Sequence, residues 1–301
     1  MTVHLLANPA ARGSTAADDR AAAVAAIRSA GHHLVDVTAE SPSGSLTAAR
    51  TAVADGADRL VVVGGDGLVH IAVQALAGTQ TVLGLVPQGT GNDFARALGL
   101  LGADLPATIE SALAEPVAVD ALRTTHGWGA TVATLGFAGD VNARANAMRF
   151  PRGATRYSLA TLLQLPRLRR LQITATLDDE TCRLDTTMLS IGNTAFFGGG
   201  MKTCPGAQPF DGEMEIVVVG AISRRTFLRV FPKVFGGSHV DHPAVSVMRG
   251  RSLRLESPDE VIDVWVDGEL LGPLPVDIEV VAGALQVAGV TRPPGRADLS
   301  P

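Results

Sequence analysis

Short β-branched runs alternate with Ala-rich stretches of helical period through the first part of the chain. The pattern predicts strands at Val3–Ala7, Leu34–Val37, Arg59–Val63 and Val82–Val86. Between and after them it predicts helices at Ala16–Ala30, Leu46–Ala54, Leu68–Leu76 and Asp93–Leu98. Ser14 or Thr15 is a cap for the first helix, and Gly31, Gly56 and Gly99 are helix stops. Strands that are apolar almost throughout, alternating with helices, belong to a parallel sheet covered on both faces.

After about Asp120 the rhythm changes to short strands separated by turn residues. They are read at Thr131–Phe137, Leu171–Leu177, Cys182–Ile191, Met214–Val219, Val245–Met248, Ser252–Leu255, Val261–Val266 and Val276–Val281, with helices at Tyr157–Leu165 and Ser223–Val234. Such density predicts a mainly antiparallel second domain. The expected organisation is an α/β domain with a parallel sheet over 1–121, a β-rich domain over 122–291, and a loose Pro/Gly-rich tail over 292–301.

Composition narrows the class. The formal net charge of −5 over 301 residues argues against general nucleic-acid binding, which needs a broad basic surface. The two cysteines, Cys182 and Cys204, lack CxxC spacing, so a reduced, intracellular protein is expected. Met1–Pro9 reads as a strand and lacks the pattern of a signal peptide. The long uncharged stretch from Gly67 to Asn92 holds His70, Gln74, Gln80, Pro87 and five glycines, too many breaks for a membrane span.

The candidate chemistry lies in two glycine-rich turns. Arg59–Val63 runs into Gly64-Gly65-Asp66-Gly67 and then a helix, which sets backbone N–H groups and a positive helix end where phosphates would bind. The same residues also suit a tight strand–helix turn without a ligand. This turn is not a P-loop, and His70 stands where a dinucleotide fingerprint has its third glycine. One strand later comes Pro87-Gln88-Gly89-Thr90-Gly91-Asn92-Asp93, with Asn92 or Asp93 as the cap of the next helix. Neighbouring parallel strands that both end in such turns form a cleft at the sheet's carboxyl edge. Asp66 and Asp93 would then face the same phosphates, with Mg²⁺ between them.

GGDG after a buried strand, followed by Pro87–Arg96 with its GTGNDFAR segment, resembles the catalytic domain of the diacylglycerol kinase family. Asn8-Pro9 through Gly13, Ser190–Gly200, Pro205-Gly206-Ala207, Asp211-Gly212-Glu213-Met214 and Val266-Asp267-Gly268-Glu269 are similar to further motifs of that family, in the same order. The chain is most similar to soluble bacterial lipid kinases, which share a two-domain fold more distantly with NAD kinases and sphingosine kinases. The resemblance implies an NAD kinase/diacylglycerol kinase-like α/β domain, a β-sandwich second domain, and transfer of the γ-phosphate of ATP to a diacylglycerol-like lipid. It implies that Gly64, Gly65, Asp66 and Gly67, with Asn8, Gly89, Thr90 and Asn92, bind nucleotide. It implies that Asp66, Asp93 and Asp120 form an Asp–water–Mg²⁺ network, that Asp211 binds a structural Mg²⁺ with main-chain carbonyls, and that Glu269 is the general base. By their residues alone, Asp267-Gly268-Glu269 fit a hairpin turn.

The chain departs from the family at Leu68, where Thr usually stands, and at His70-Ile71, where Asn-Glu is usual. A lost hydroxyl contact to phosphate corresponds to about 1.5–3 kcal/mol, which leaves an impaired lipid- or nucleotide-binding relative as one alternative, and the shared GGDG leaves a soluble-acceptor kinase of the NAD kinase type as another. The GTGNDFAR segment and the late DGE favour the lipid branch.

Arg144, Arg149, Arg152, Arg156, Arg167, Arg169 and Arg170 fall in a stretch, Val141–Leu177, without an acidic residue, and leucines lie between them. This Arg-rich 144–170 segment suits anionic headgroups, and equally a solvated helix face. Phe227, Phe231 and Phe235, four apart, read as core packing. The expected partners are a lipid substrate and, peripherally, the inner face of the cytoplasmic membrane. A homodimer is compatible with the chain, but no residue decides it.

Overall fold

The computed structural model describes residues 1–7, 14–148, 150–151, 154–258 and 260–292, without the side chains of 14–17 and 154. Asn8, Arg149, Arg152, the opening turn through Gly13 and the tail beyond Arg292 therefore lie outside the described residues. The chain forms two compact units, Met1–Asp120 with the segment from Ala282, and Ala121–Val281.

The first unit runs β1 (Thr2–Ala7), α1 (Ser14–Ser29), β2 (His33–Asp36), α2 (Pro42–Ala54), β3 (Arg59–Gly64), α3 (Asp66–Leu76), β4 (Val82–Pro87), α4 (Asp93–Ala97), α5 (Leu105–Leu113) and into β5 (Pro116–Thr124). Strands β2, β1, β3 and β4 lie side by side and parallel. Their residues alternate between two buried faces. Val3, Leu5, Ala7, Val61, Val63 and Val86 pack beneath Ala23 and Ile27 of α1 and Ile109 and Ala112 of α5. Leu60, Val62, Leu83 and Leu85 are equally buried on the opposite side, against which α2 and α3 lie.

Helix ends follow local chemistry. Ser41 accepts the Gly44 N–H at the start of α2, and Asp104 accepts the Ala107 N–H at the start of α5. Gly31 and Gly56 take positive φ where α1 and α2 stop. The buried guanidinium of Arg59 donates to the Ala112 and Ala114 carbonyls, satisfying the end of α5 that no helical N–H reaches.

The second unit continues with β6 (Gly127–Gly129), β7 (Val132–Gly136), α6 (Phe137–Ala147), α7 (Ala154–Gln164), β8 (Leu171–Leu177), β9 (Glu180–Gly192), β10 (Phe196–Phe197), β11 (Met201–Lys202), β12 (Met214–Gly220), α8 (Arg224–Val230), β13 (Val245–Gly250), β14 (Ser252–Glu256), β15 (Asp263–Val266), β16 (Glu269–Pro273) and β17 (Val276–Ala288). Pairings within it are antiparallel. The 13-residue β9 organises them. Its first half pairs with β8, and its second half lies between β7 and β12. Alternate residues Leu171, Ile173 and Ala175, Leu189 and Ile191, Ile216 and Val218, and Leu253 and Leu255 form the core.

The last strand departs from a linear reading of the sequence. β17 begins in the second unit, pairing β14 through Val276–Glu279, and ends in the first, parallel to β4 through Gln286 and Val287. The segment from Ala282 thus belongs to the first unit rather than to the second domain. Helices α5 and α6 and strand β5 were also not expected. The strand expected over Thr131–Phe137 ends at Gly136 (φ +70°), and α6 starts at the next residue. Helix α8, capped by Ser223, stops at Val230 and tightens to a 3-10 turn over Phe231–Phe235.

Gly84 sits where a Cβ would run into the Ala112 carbonyl and lie 3.2 Å from Val61. Gly84→Ala is expected to overpack the β4–α5 contact and cost about 1–3 kcal/mol, read by chemical denaturation.

Candidate active site

Both glycine turns lie at the carboxyl edge of the parallel sheet. Register pairs Gly64 with Pro87, and the Gln88 N–H donates to the Gly64 carbonyl at 2.9 Å, so the turns leave the sheet side by side. A Cβ on Gly65 would stand 2.9 Å from the Gly89 Cα. The two backbones approach more closely than any side chain would allow. Leu68 folds back over Gly64, with its Cδ2 2.9 Å from where a Gly64 Cβ would be. The contacts facing Gly65 come instead from Gly89 and Asn92.

Neither Asn92 nor Asp93 caps α4. Asn92 is left-handed (φ 52°), and its side-chain amide clasps its own turn, accepting the Gly89 N–H at 2.9 Å and donating to the Gly89 carbonyl at 2.8 Å. The N-terminus of α4 is served from the other turn, where Asp66 Oδ1 accepts the Asp93 N–H at 2.7 Å. One carboxylate therefore ties the first turn to the helix after the second.

That carboxylate is under electrostatic stress. Burial, then the neighbouring charge of Asp93, raise the pKa of Asp66 to about 6, against the lowering effect of main-chain N–H groups of Asp93, Asn92 and Phe94. Arg96 lies 4.0 Å from Asp93. Two close acidic groups, one resisting ionisation, are a donor set that fits a divalent cation, and the exposed Thr90 and the uncapped start of α3 lie on the same turns.

Asp120 makes no direct contact with this pair. Its Oδ1 accepts the Gly283 N–H at 2.8 Å, and the adjacent Ala284 carbonyl accepts the N–H of Gly78, beyond the far end of α3 from Asp66. An 11-residue helix is about 16 Å long, so Asp120 is no direct ligand of an ion held by Asp66 and Asp93. The physical reason is the return of β17, which takes up the Asp120 carboxylate at the opposite sheet edge.

Glu269, in the second unit, opens β16 and is exposed. The preceding Asp267-Gly268 form the two-residue hairpin turn, with φ of 54° and 89°. The turn is anchored. Asp267 accepts the Ala130 N–H at 3.0 Å, the Thr131 N–H at 2.8 Å and the Thr131 hydroxyl at 2.6 Å, and Asn146 donates to the Gly268 carbonyl at 2.9 Å. Asp267 is thus a positioning residue that sequence reasoning missed, since its only signal was an Asp before a Gly. Asp211 is taken up by Arg249, 3.3 Å away. Among the described residues, no group of three or more His, Cys, Asp or Glu side chains could hold a metal, the His239–His242 stretch included.

The second unit also contains an apolar cavity of about 80 Å³, open at one side, beneath α6, α7 and α8. Phe137, Val141, Tyr157, Phe227, Val230 and Phe231 line it, and among the described residues no Asp, Glu, Lys or Arg does. His239 at its wall is buried, which lowers its pKa, and its Nε2 lies 3.3 Å from the Thr203 carbonyl. Phe227 is buried as the helical stripe implied, whereas Phe235 at the stripe's end is 43% exposed.

A parallel α/β unit with paired glycine turns, followed by an antiparallel β unit, is the architecture of the NAD kinase/diacylglycerol kinase class of proteins, and comparison with known families narrows it. Residues 2–124 match the family described as the diacylglycerol kinase catalytic domain, and residues 131–289 the YegS C-terminal NAD kinase beta sandwich-like domain. The chain belongs to this family of diacylglycerol and YegS-like lipid kinases. It is 38% identical over 292 residues to a Mycobacterium tuberculosis protein named diacylglycerol kinase, covering 95% of this chain and 94% of that one. It is 31% identical to the Xanthomonas campestris protein named probable lipid kinase YegS-like, covering 91% and 92%. A solved diacylglycerol kinase structure from Bacillus anthracis shares the fold, with a TM-score of 0.73 at 20% identity over 95% of this chain and 96% of that one. The protein is a kinase, and its family implies use of ATP.

Two outcomes are expected. Because the folded Asp66 binds its proton more tightly than the unfolded chain does, its ionisation erodes stability as pH rises from about 4 to about 6. In nucleotide-free protein, Asp66→Asn should gain stability over wild type across that window and keep about 2–3 kcal/mol above it, in denaturant titrations at several pH values. Asp267→Ala should lose about 2–4 kcal/mol, because three N–H or O–H donors lose a charged acceptor.

Proposed function

We propose that this kinase transfers the γ-phosphate of Mg²⁺-bound ATP to the hydroxyl of diacylglycerol or a related lipid. The observation that carries the lipid is the uncharged cavity of the second unit. A soluble acceptor such as a dinucleotide brings phosphates that need charged partners, whereas an acyl chain needs only the aromatic and aliphatic lining that this cavity offers.

In this reading the turns Gly64–Gly67 and Gly89–Asn92 bind the phosphates through main-chain N–H groups, with the start of α3 adding its positive end. Asp66 and Asp93 hold Mg²⁺, which neutralises charge on the phosphate oxygens when bound. Glu269 accepts the proton of the lipid hydroxyl, and its exposed carboxylate, on a turn held by Asp267 and Asn146, suits that role. Asn8 is assigned to the nucleotide by resemblance alone.

The membrane is approached through α7 and α8. Leu159, Leu162 and Leu163 are 38%, 53% and 45% exposed, and Leu228 is 44% exposed beside Arg224, Arg225 and Arg229. Exposed leucines among arginines suit an anionic lipid surface. Within the Arg-rich stretch, Arg169 is paired with Glu260, and Arg170 lies 4.0 Å from Asp185. No described helix is long and apolar enough to cross a membrane.

The test is labelled ATP, Mg²⁺ and a total membrane-lipid extract. Label is expected in phosphatidic acid or a related phospholipid, with turnover reduced about a hundredfold or more by Glu269→Gln and by Asp66→Ala. Thr161→Trp, which fills the cavity, should depress transfer to long-chain diacylglycerol while nucleotide binding is kept. Label appearing only in a water-soluble acceptor would overturn the reading. Leu68 favours a second reading, a nucleotide-binding relative with little transfer, which tight ATP–Mg²⁺ binding without labelled lipid would support.

A further inference from the structure

The resemblance implies a structural Mg²⁺ in the 205–214 loop, held by Asp211 and main-chain carbonyls, and the residues present do not fit one. Glu215 and Arg249 face each other across the β12–β13 pair. One Arg249 Nη donates to the Gly206 carbonyl and lies 3.4 Å from Glu215 Oε2. The other lies 3.3 Å from Asp211 Oδ2 and 3.9 Å from Glu213 Oε2. The remaining oxygens of the two inner carboxylates are committed to main-chain donors. Asp211 Oδ1 accepts the Glu213 N–H at 3.1 Å, and Glu215 Oε1 accepts the Gly206 N–H at 2.8 Å.

A single guanidinium therefore bonds both kinds of ligand the metal would use, the Asp211 carboxylate and a main-chain carbonyl. Mg²⁺ requires near-octahedral oxygens at about 2.0–2.1 Å, and a guanidinium already seated on the Asp211 carboxylate and the Gly206 carbonyl takes the place of such an ion and repels it. A planar fork of donors suits a carbonyl and several carboxylates at once. Glu215 is 4% exposed, and a buried carboxylate needs a fixed partner. The loop leaves no slack around this arrangement, since a Cβ on Gly206 would strike the Glu215 carboxylate and lie 3.0 Å from Arg249.

We propose that Arg249 is the resident cation of this loop and that the second unit requires no divalent ion there. Any Mg²⁺ requirement of the kinase then belongs to its nucleotide site alone. The test uses nucleotide-free protein, so its result does not depend on whether the transfer reaction is as proposed. Mn²⁺ serves as the probe, followed by electron paramagnetic resonance. Wild type and Asp211→Asn are expected to bind the same amount of Mn²⁺, and loss of a bound ion in Asp211→Asn overturns the proposal. In chelator, Arg249→Met is expected to unfold about 4–8 °C below wild type, and an unchanged midpoint overturns it as well. Should Arg249→Met fail to fold, the manganese comparison decides by itself.

Discussion

The hydrogen bond from the Asp93 N–H to Asp66 is the contact on which the paired glycine turns of the first unit depend. It supplies the start of α4 with the acceptor that its own neighbours do not provide, because Asn92 has turned its amide inward on Gly89. It also fixes the distance between two turns whose glycines already touch. The arrangement works against itself electrostatically. Burying Asp66 beside Asp93 disfavours its ionised form, a stress that a proton or a nearby cation relieves without breaking the bond.

The second unit is organised by the opposite requirement. Its cavity is kept free of charge, and its carboxylates are spent on N–H groups elsewhere. Asp267 holds the hairpin that presents Glu269, Asp178 accepts the N–H groups of Arg251 and Ser252, and Asp211 and Glu215 are closed by Arg249. Each acidic residue met in a glycine-bearing turn reads alike as a metal ligand, a base or a turn-former. What separates these roles is the set of donors that the fold brings to each carboxylate. Asp120 makes the point most sharply, since a β-strand arriving from the far end of the chain takes up its carboxylate through Gly283.

The sequence by itself determined the alternation of β1 to β4 with their helices, the antiparallel character of the second unit, and the two glycine turns, because each depends on residues within a few positions of one another. β-branched runs, caps such as Ser41 and Ser223, and glycines at helix ends act locally. Tertiary structure decided the rest. The return of β17 to the first unit, the service of α4 by Asp66, the anchoring of Asp267 by Ala130 and Thr131, and the closure of the 205–214 loop by Arg249 all join residues 27 or more positions apart. No local pattern encodes such pairings. They exist because buried carboxylates and unpaired N–H groups must find one another once the sheets have formed.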